Sequence, residues 1–142
     1  MHYPLPRNHF LVQWGGSNIG FCEVSGLSIE MDAPHFRDGA SPENSSRVMP
    51  GQLKFPPLIL KRAVVKGDNQ FFDWLSTAKL NTIERRDIVI SLLDEQHAPV
   101  VTWKFHNAFP VRLDYSPLDA ACSEPMMESL QIAHEGMSVE NS

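Results

Sequence analysis

Apolar and polar residues alternate with a period of two along much of this chain, and this constrains its fold more than any other feature. The inward positions of the two clearest stretches are Ile88, Ile90 and Leu92, and then Val101, Trp103 and Phe105. Because successive side chains of a strand point to opposite faces, the alternation predicts strands with one buried face. Similar stretches begin at Phe10, Gln52, Val111 and Met126. The sequence therefore predicts a mainly β fold, a small antiparallel β-barrel or sandwich of about seven strands.

A turn near the amino terminus predicts how the first two strands are connected. Gly15-Gly16-Ser17-Asn18 has the residue types of a tight turn. Residues 10–14 before it and 19–27 after it both alternate. They are therefore predicted to form a β-hairpin.

One helix is predicted over residues 68–80. The Asp68 carboxylate can accept the first free backbone N–H groups of this helix. Phe71 and Leu75 then fall on one apolar face, which can pack against the sheet. We expect this helix to close one end of the barrel, with a core formed by Phe71, Leu75, Ile88, Ile90, Leu92, Trp103 and Phe105.

Residues 32–51 differ from the rest of the chain because they are rich in Pro, Gly, Asn and Ser and show no hydrophobic period. A long extended loop of this kind is uncommon inside a compact domain and is usually functional or disordered. The composition leaves two interpretations open. The loop is a surface excursion without a role, or it is an arm that becomes ordered against a neighbouring subunit.

Size and composition indicate one domain over residues 1–142, with enough apolar residues, 42%, to bury a core. The net charge of -5 argues against non-specific duplex DNA binding, which needs a dense basic surface. Cys22 and Cys122 are too few and too far apart for a disulfide-rich secreted domain, so two reduced, mostly buried thiols are expected. The sequence shows no pattern of a signal peptide or membrane span, so synthesis in the cytosol is expected. Residues 137–142 are predicted to be a flexible tail.

No catalytic, cofactor or metal site is predicted. The six histidines are scattered singly, without metal-ligand spacing. Asp94 and Glu95 do not form a converging carboxylate pair, because adjacent strand residues point to opposite faces, and they are interpreted as part of a solvated hairpin turn. Arg85 and Arg86, beside Asp87, are interpreted as strand-end charges that discourage edge pairing. The sequence therefore predicts a protein that is not an enzyme.

Several short signatures occur in a fixed order along the chain. They are Glu23-Val24-Ser25-Gly26-Leu27, Phe36-Arg37-Asp38-Gly39, Lys61-Arg62, Arg85-Arg86-Asp87 with Leu92-Leu93-Asp94-Glu95, Asn107-Ala108-Phe109-Pro110-Val111, and Ala133-His134-Glu135-Gly136. In this order they resemble the tail-tube proteins of contractile phages and of phage-tail-like contractile injection systems. The resemblance covers residues 10–136.

The resemblance implies a barrel-like domain related to the type VI secretion tube protein. In that family, homohexameric rings stack head to tail into a hollow tube that sheath contraction expels. The implied function is therefore a structural subunit of the inner tube, assembled in the bacterial cytoplasm and ending in a phage tail or a released particle. The implied inter-subunit stacking loop contains Phe36, Arg37, Asp38 and Gly39, and ends at Pro50 and Gly51. The implied partners are further copies of the chain, the sheath, the baseplate, a tube-terminating cap, and a tape-measure or cargo protein in the lumen.

Two alternatives stay open. A related tube-initiator subunit, which seats the tube on the baseplate, would show similar motifs. From the fold alone, a small-ligand-binding β-barrel is also compatible, although it would need an open cavity. A single-strand nucleic-acid barrel is disfavoured because the aromatic residues fall on the predicted core faces.

Overall fold

The structure is a computed structural model that describes residues 4–17, 20–36, 39 and 47–141. Its elements, in chain order, are β1 (Phe10–Gln13), β2 (Phe21–Ser25), β3 (Glu30–Met31), β4 (His35–Phe36), β5 (Arg47–Val48), β6 (Leu53–Lys54), β7 (Leu58–Ala63), α1 (Gln70–Leu75), β8 (Arg86–Leu93), β9 (Pro99–Tyr115), β10 (Met127–Ala133) and β11 (Gly136–Asn141). The prediction of a mainly β fold with one helix is confirmed.

The main sheet is antiparallel and does not close on itself. Within the described residues its strand order is β1-β8-β9-β10-β7-β2, with β11 also paired to β9. β1 and β2 lie at opposite ends of this path, so the predicted hairpin between them is wrong and no closed barrel is present. The side chain of Trp14 is fully buried, and its ring lies 4.9 Å from the ring of Phe71 on α1. The segment that follows β1 therefore packs against the helix. The turn residues beyond it do not bring β2 back to pair with β1.

A long bent ribbon joins the two halves of the sheet. β10 and then β11 run antiparallel along β9, from the Glu128–Tyr115 pair to the Asn141–Val101 pair. β8 and β1 extend the sheet from the first half of β9, whereas β7 and β2 extend it from β10. Asn107 has a positive φ of 52° where β9 bends between these halves. Both halves pack their inner faces on one core.

The carboxyl-terminal segment differs from the sequence prediction. Residues 136–141 form β11, which pairs with β9 over its whole length, where a flexible tail over 137–142 was predicted. Ser142 lies outside the described residues. The sequence of β11 is short and polar and gives little signal for a strand. The segment is ordered because the neighbouring edge of β9 offers hydrogen-bond partners.

The core contains apolar side chains from both halves of the sheet and from the helix. Its fully buried members are Val12, Trp14, Leu58, Leu60, Phe71, Trp74, Ile88, Ile90, Phe105, Ala108, Leu130 and Ile132. Of the residues predicted to be core, Phe71, Ile88, Ile90 and Phe105 are in this set. Leu75, Leu92 and Trp103 are half-buried.

A groove of about 690 Å³ explains the partial exposure of two predicted core residues. Leu92 and Trp103 line it together with Phe10 of β1 and Val24 of β2. The groove lies where the sheet fails to close between β1 and β2, so these side chains are covered on one side only.

The bend in β9 also changes which residues point inward. Before Asn107 the odd positions, such as Phe105, are buried, whereas after it Ala108 and Pro110 are buried. A register shift against β10 then leaves Val111 without a paired residue and about half exposed, and beyond it Leu113 packs against the core again. Two local irregularities, at Asn107 and at Val111, thus each shift the two-residue period by one position.

The helix is shorter than predicted. It runs from Gln70 to Leu75 and buries Phe71 and Trp74, whereas Phe72 is half exposed. Asn69 occupies the N-cap position without a side-chain hydrogen bond. The Asp68 carboxylate accepts the N–H of Gln70 at 3.2 Å, but it is also engaged by an arginine from the sheet.

That arginine, Arg62 of β7, is a buried charge in the core and is 1% exposed. Its guanidinium donates to the Glu128 carboxylate at 2.7 Å, to the Asp68 carboxylate at 3.1 Å and to the Ser17 carbonyl at 3.3 Å. The guanidinium carbon also lies 4.1 Å from the ring centroid of Phe71. This network ties β7, β10 and the segment before α1 to one another.

We predict that Phe105→Ala lowers the free energy of unfolding by about 3–5 kcal/mol, because it leaves a cavity among fully buried side chains. Trp103→Ala should cost clearly less, because the Trp103 side chain is half-buried and borders the open groove. Urea denaturation of both variants checks this. Equal losses, or the larger loss at Trp103, would contradict the placement of the core.

We also predict that Glu128→Ala costs about 3–5 kcal/mol, because it leaves the buried Arg62 charge without its main partner. Asp114→Ala is the matched control, since the Arg112–Asp114 pair is exposed and should contribute less than about 1 kcal/mol. Urea denaturation measures both. A cost at Glu128 no larger than that of the control would mean that the buried network does not hold the fold.

Candidate assembly surface

A hairpin made of two successive short ladders leaves the main sheet between β2 and β7. β3 pairs with β6 through Glu30–Lys54 and Met31–Leu53, and β4 pairs with β5 through His35–Val48 and Phe36–Arg47. We call residues 30–36 and 47–54 the arm. None of its four strands pairs with a strand of the main sheet within the described residues. The stretch predicted as an extended loop is therefore a hairpin in its described part.

The middle of the arm is held by backbone hydrogen bonds around Gly51. Its N–H donates to the Asp32 carbonyl at 2.7 Å, and the Asp32 N–H donates to the Gln52 carbonyl at 2.9 Å. A Cβ at position 51 would lie 2.8 Å from the Cβ of Asp32, so this close approach requires glycine. Pro50 and Gly51 were predicted to end the loop. They lie inside the hairpin instead, because β6 continues the pairing beyond them.

The arm exposes an unusual amount of apolar surface for its size. Six apolar side chains on or beside it are each roughly half exposed: Ile29, Met31, Phe36, Val48, Met49 and Leu53. We call these six residues the apolar strip. Met31 and Leu53 pair across the arm and share one face. Phe36 and Val48 pair with polar residues of the opposite strand and point to opposite faces of the arm, so both faces expose apolar side chains. Exposed apolar surface concentrated on one short element is typical of a protein–protein contact.

The sequence-predicted stacking residues fall in different places. Phe36 lies in β4 and belongs to the apolar strip. Gly39 is an exposed turn residue with open space around its Cα. Arg37 and Asp38 lie outside the described residues, so their predicted role in stacking stays a prediction.

An ion pair closes the base of the arm. The Lys54 ammonium lies 2.8 Å from the Asp32 carboxylate, and both side chains are largely exposed. The hydrogen bond and charge of Asp32 raise the pKa of Lys54 above its usual range. In this exposed position the pair orients the two strands and contributes little to stability.

The arm joins the main sheet, which we call the body, through Gly26 on one side and residues 55–57 on the other. We call these residues the root. A Cβ at Gly26 would lie 2.1 Å from the Pro57 carbonyl oxygen, and Gly26 has a φ of +87°. Only glycine lets the two ends of the arm pass so closely. On the other side of the root, the ring centroid of Phe55 lies 5.6 Å from that of His134. The sequence signatures contain Gly26 and His134, but without the fold neither can be assigned to the root.

Arg85 and its signature partners stabilise the ribbon bend. The Arg85 guanidinium lies 2.9 Å from the Glu135 carboxylate and 4.7 Å from the ring centroid of Phe109. The Asn107 side-chain amide donates to the other Glu135 oxygen at 2.7 Å. Residues from three signatures thus meet at one corner of the sheet.

Arg86 has a structural role as well. Its guanidinium carbon lies 4.8 Å from the ring centroid of Trp74 and 5.5 Å from that of Trp14, and it pairs with Glu84 at 2.9 Å. The interpretation of the two arginines as edge-blocking charges is therefore wrong, because both are held by carboxylates and aromatic rings.

The described residues hold no group of three or more His, Cys, Asp or Glu side chains that could bind a metal ion. His9 and His97, predicted to be isolated, contact each other with ring nitrogens 2.8 Å apart. Cys22 and Cys122 are exposed free thiols, whereas mostly buried ones were expected. No helix among the described residues is long and apolar enough to span a membrane.

Comparison with known families identifies the class of this protein. Residues 6–138 match the family model described as T4-like virus tail tube protein gp19. The match covers nearly the whole chain, so the chain belongs to this tail tube family and the predicted resemblance is confirmed. No curated protein matches the chain.

Solved structures of contractile injection systems contain chains that are similar to this one. The chain is 31% identical to a chain of the anti-feeding prophage tube-terminating cap, with a TM-score of 0.89, covering 100% of this chain and 94% of that one. It is also 31% identical to a chain of the sheath–tube complex of the extracellular contractile injection system PVC, with a TM-score of 0.88 and coverage of 99% and 93%. The protein is therefore a tail tube-like protein, similar over its whole length to chains of contractile injection systems.

A more distant likeness extends to type VI secretion. Hcp1 from Flavobacterium johnsoniae is 16% identical, with a TM-score of 0.60 and coverage of 94% of this chain and 96% of that one. At this identity the likeness concerns the fold alone.

We predict that Gly26→Ala destabilises the protein more than Gly67→Ala. Both glycines have a positive φ, so each alanine introduces backbone strain of about 1–2 kcal/mol. Only Gly26 is pressed against the chain, because a Cβ at Gly67 has nothing within 4 Å. Denaturant unfolding of the two variants isolates the clash with Pro57. Equal losses would show that the root is not tightly packed.

Proposed function

We propose that this chain is the repeating subunit of the inner tube of a contractile phage tail or extracellular contractile injection system. Six copies form a ring, and the rings stack head to tail into a hollow tube that sheath contraction expels. The arm of one ring binds the next ring. Contacts between two different patches of the same subunit propagate without limit along an axis, as tube growth requires.

The apolar strip of the arm is the observation that carries this proposal. Its six side chains are exposed on a hairpin that the rest of the described chain does not cover. Because these side chains are only about half exposed, burying the rest of one Val or Leu in an interface contributes about 1 kcal/mol. A neighbouring copy that covers the strip would therefore stabilise a stack, and a monomer leaves it in water.

The role we propose is structural, without catalysis. The titratable groups of the described residues mostly form ion pairs and aromatic contacts that hold the sheet together, as Arg62, Arg85 and Arg86 do. The proposed partners are the sheath, the baseplate and a terminating cap, in keeping with the particles in which the similar chains occur. A tape-measure or cargo protein in the lumen completes the proposed set.

A tube-initiator subunit is the second candidate. A chain of the anti-feeding prophage baseplate is 25% identical to this one, with a TM-score of 0.85 and coverage of 99% and 98%. The higher identity, 31%, to chains of the sheath–tube and cap structures favours the repeating subunit. A small-ligand-binding barrel is disfavoured, because the interior is filled by side chains and the groove beside Trp103 is open.

Negative-stain electron microscopy across a protein concentration series tests the proposal. We expect rings of uniform diameter that stack into long tubes as the concentration rises. Rings that never stack would favour the initiator. Strict monomers at every concentration, also in the presence of a preformed baseplate, would contradict the proposal.

We predict that the double variant Val48→Ser, Leu53→Ser abolishes stacking and leaves the fold intact, because both residues belong to the exposed apolar strip. Leu118→Ser is the matched control, since Leu118 is an exposed apolar residue outside the arm. Electron microscopy counts stacked rings, and circular dichroism confirms the fold. Normal tubes from the double variant would rule out the arm as the stacking element.

A further inference from the structure

The His134 ring links the arm root to the core. It follows β10 at the ribbon bend, and its centroid lies 4.8 Å from that of Phe105, with the two ring planes at 75°. On its other side is the ring of Phe55, 5.6 Å away. Phe105 is fully buried in β9, whereas Phe55 directly follows β6 of the arm. One imidazole thus lies between the centre of the sheet and the base of the hairpin.

The surroundings of this imidazole are unfavourable for a positive charge. Neither ring nitrogen is accessible to solvent, and neither makes a hydrogen bond of normal geometry to any described residue. A neutral ring tolerates such a position, whereas an imidazolium must give up its hydration. Burial lowers the pKa of His134, and the polar backbone of Gly136 and Pro56, close to the ring, opposes this only in part.

The charged groups on the neighbouring elements have other partners, so none of their carboxylates is paired with the imidazole. These contacts are Glu135 with Arg85, Lys104 with Glu140, and Lys54 with Asp32. His106, on the strand beside His134, is exposed. Protonation of His134 would therefore place a buried charge between two aromatic rings without a carboxylate paired to it.

The geometry points to His134 as a proton-sensitive latch of the arm. The neutral imidazole packs Phe55 and the arm root onto the body, and the protonated imidazole releases them. The latch is a property of the single subunit and does not require stacking. Its consequence, a tube whose ring contacts loosen in acid, rests on the proposed function.

The direction of the pH effect follows from proton linkage. A released imidazole binds a proton more readily than the docked one, because its pKa returns to the usual value of 6.5. The docked root is therefore fully favoured above that pH and is lost as the pH falls from 6.5 towards the lowered pKa of the docked ring. Over that interval the ratio of released to docked root rises at most about tenfold for each pH unit.

Hydrogen–deuterium exchange of peptides covering residues 53–57 tests the latch, with Leu53, Lys54 and Phe55 as the reporting amides, since the two prolines that follow carry no amide hydrogen. Exchange is measured between about pH 8 and about pH 5, the range in which imidazoles titrate, and corrected for the intrinsic pH dependence of amide exchange. We expect these peptides to lose protection on acidification, while peptides from the first half of β9 keep theirs. Loss that begins in β9 at the same pH would overturn the latch, because it would report general acid unfolding.

Two variants separate the latch from other titrations. His134→Phe keeps an aromatic ring between Phe105 and Phe55 but cannot be charged, so its root peptides should stay protected at acid pH. His106→Phe alters an exposed histidine on the neighbouring strand and should behave like the wild type. A root that opens with the same pH dependence in His134→Phe as in the wild type would overturn the proposal.

An NMR titration of the wild-type histidines keeps the test decisive if His134→Phe does not fold. The ring proton of His134 is expected to titrate below the usual histidine pKa of 6.5, together with the loss of protection at the root. A His134 pKa at or above its usual value would overturn the proposal. Tubes that form at neutral pH without any response of the root to acid would leave the proposed function intact and remove only the latch.

Discussion

The buried arginine of β7 is the interaction on which the rest of the structure depends. Arg62 brings a full charge into an apolar core, and this is tolerable only because Glu128, Asp68 and the rings around it occupy fixed positions. Satisfying this one group fixes β7 beside β10 and the helix against the sheet. The helix in turn buries Trp14, which draws β1 away from β2 and leaves the sheet open.

A rigid body with a poorly covered arm follows from this arrangement. The core, the arginine network and the ribbon bend hold the main sheet, whereas the arm has its own short ladders and two root contacts, at Gly26 and at His134. An element anchored only at its base pays part of its ordering entropy when a partner covers it. In the proposed tube, the arm would bind when a neighbouring copy is present and stay in water otherwise, which suits growth from an existing end.

Sequence reasoning predicted the elements that short-range patterns determine. The strands around Ile88 and Phe105 follow from alternation, and the odd composition of residues 32–51 marks the arm. It missed what long-range contacts determine. A charged residue such as Arg62 gives no sign that it is buried. The alternation is interrupted at Asn107 and again at Val111. The partner of β1 depends on where Trp14 packs. The ordered signatures predicted the family, yet several of their charged residues, among them Arg62, Arg85 and Arg86, hold the fold together.

A cryo-electron microscopy reconstruction of the purified assembly tests the central claim most directly. It shows at once the number of copies in a ring, the presence of a hollow lumen and the surroundings of every arm. The account predicts six copies in each ring, with Met31, Val48 and Leu53 of each arm buried against the adjacent ring. Tubes in which these side chains remain in solvent, or an assembly without stacked rings, would contradict it.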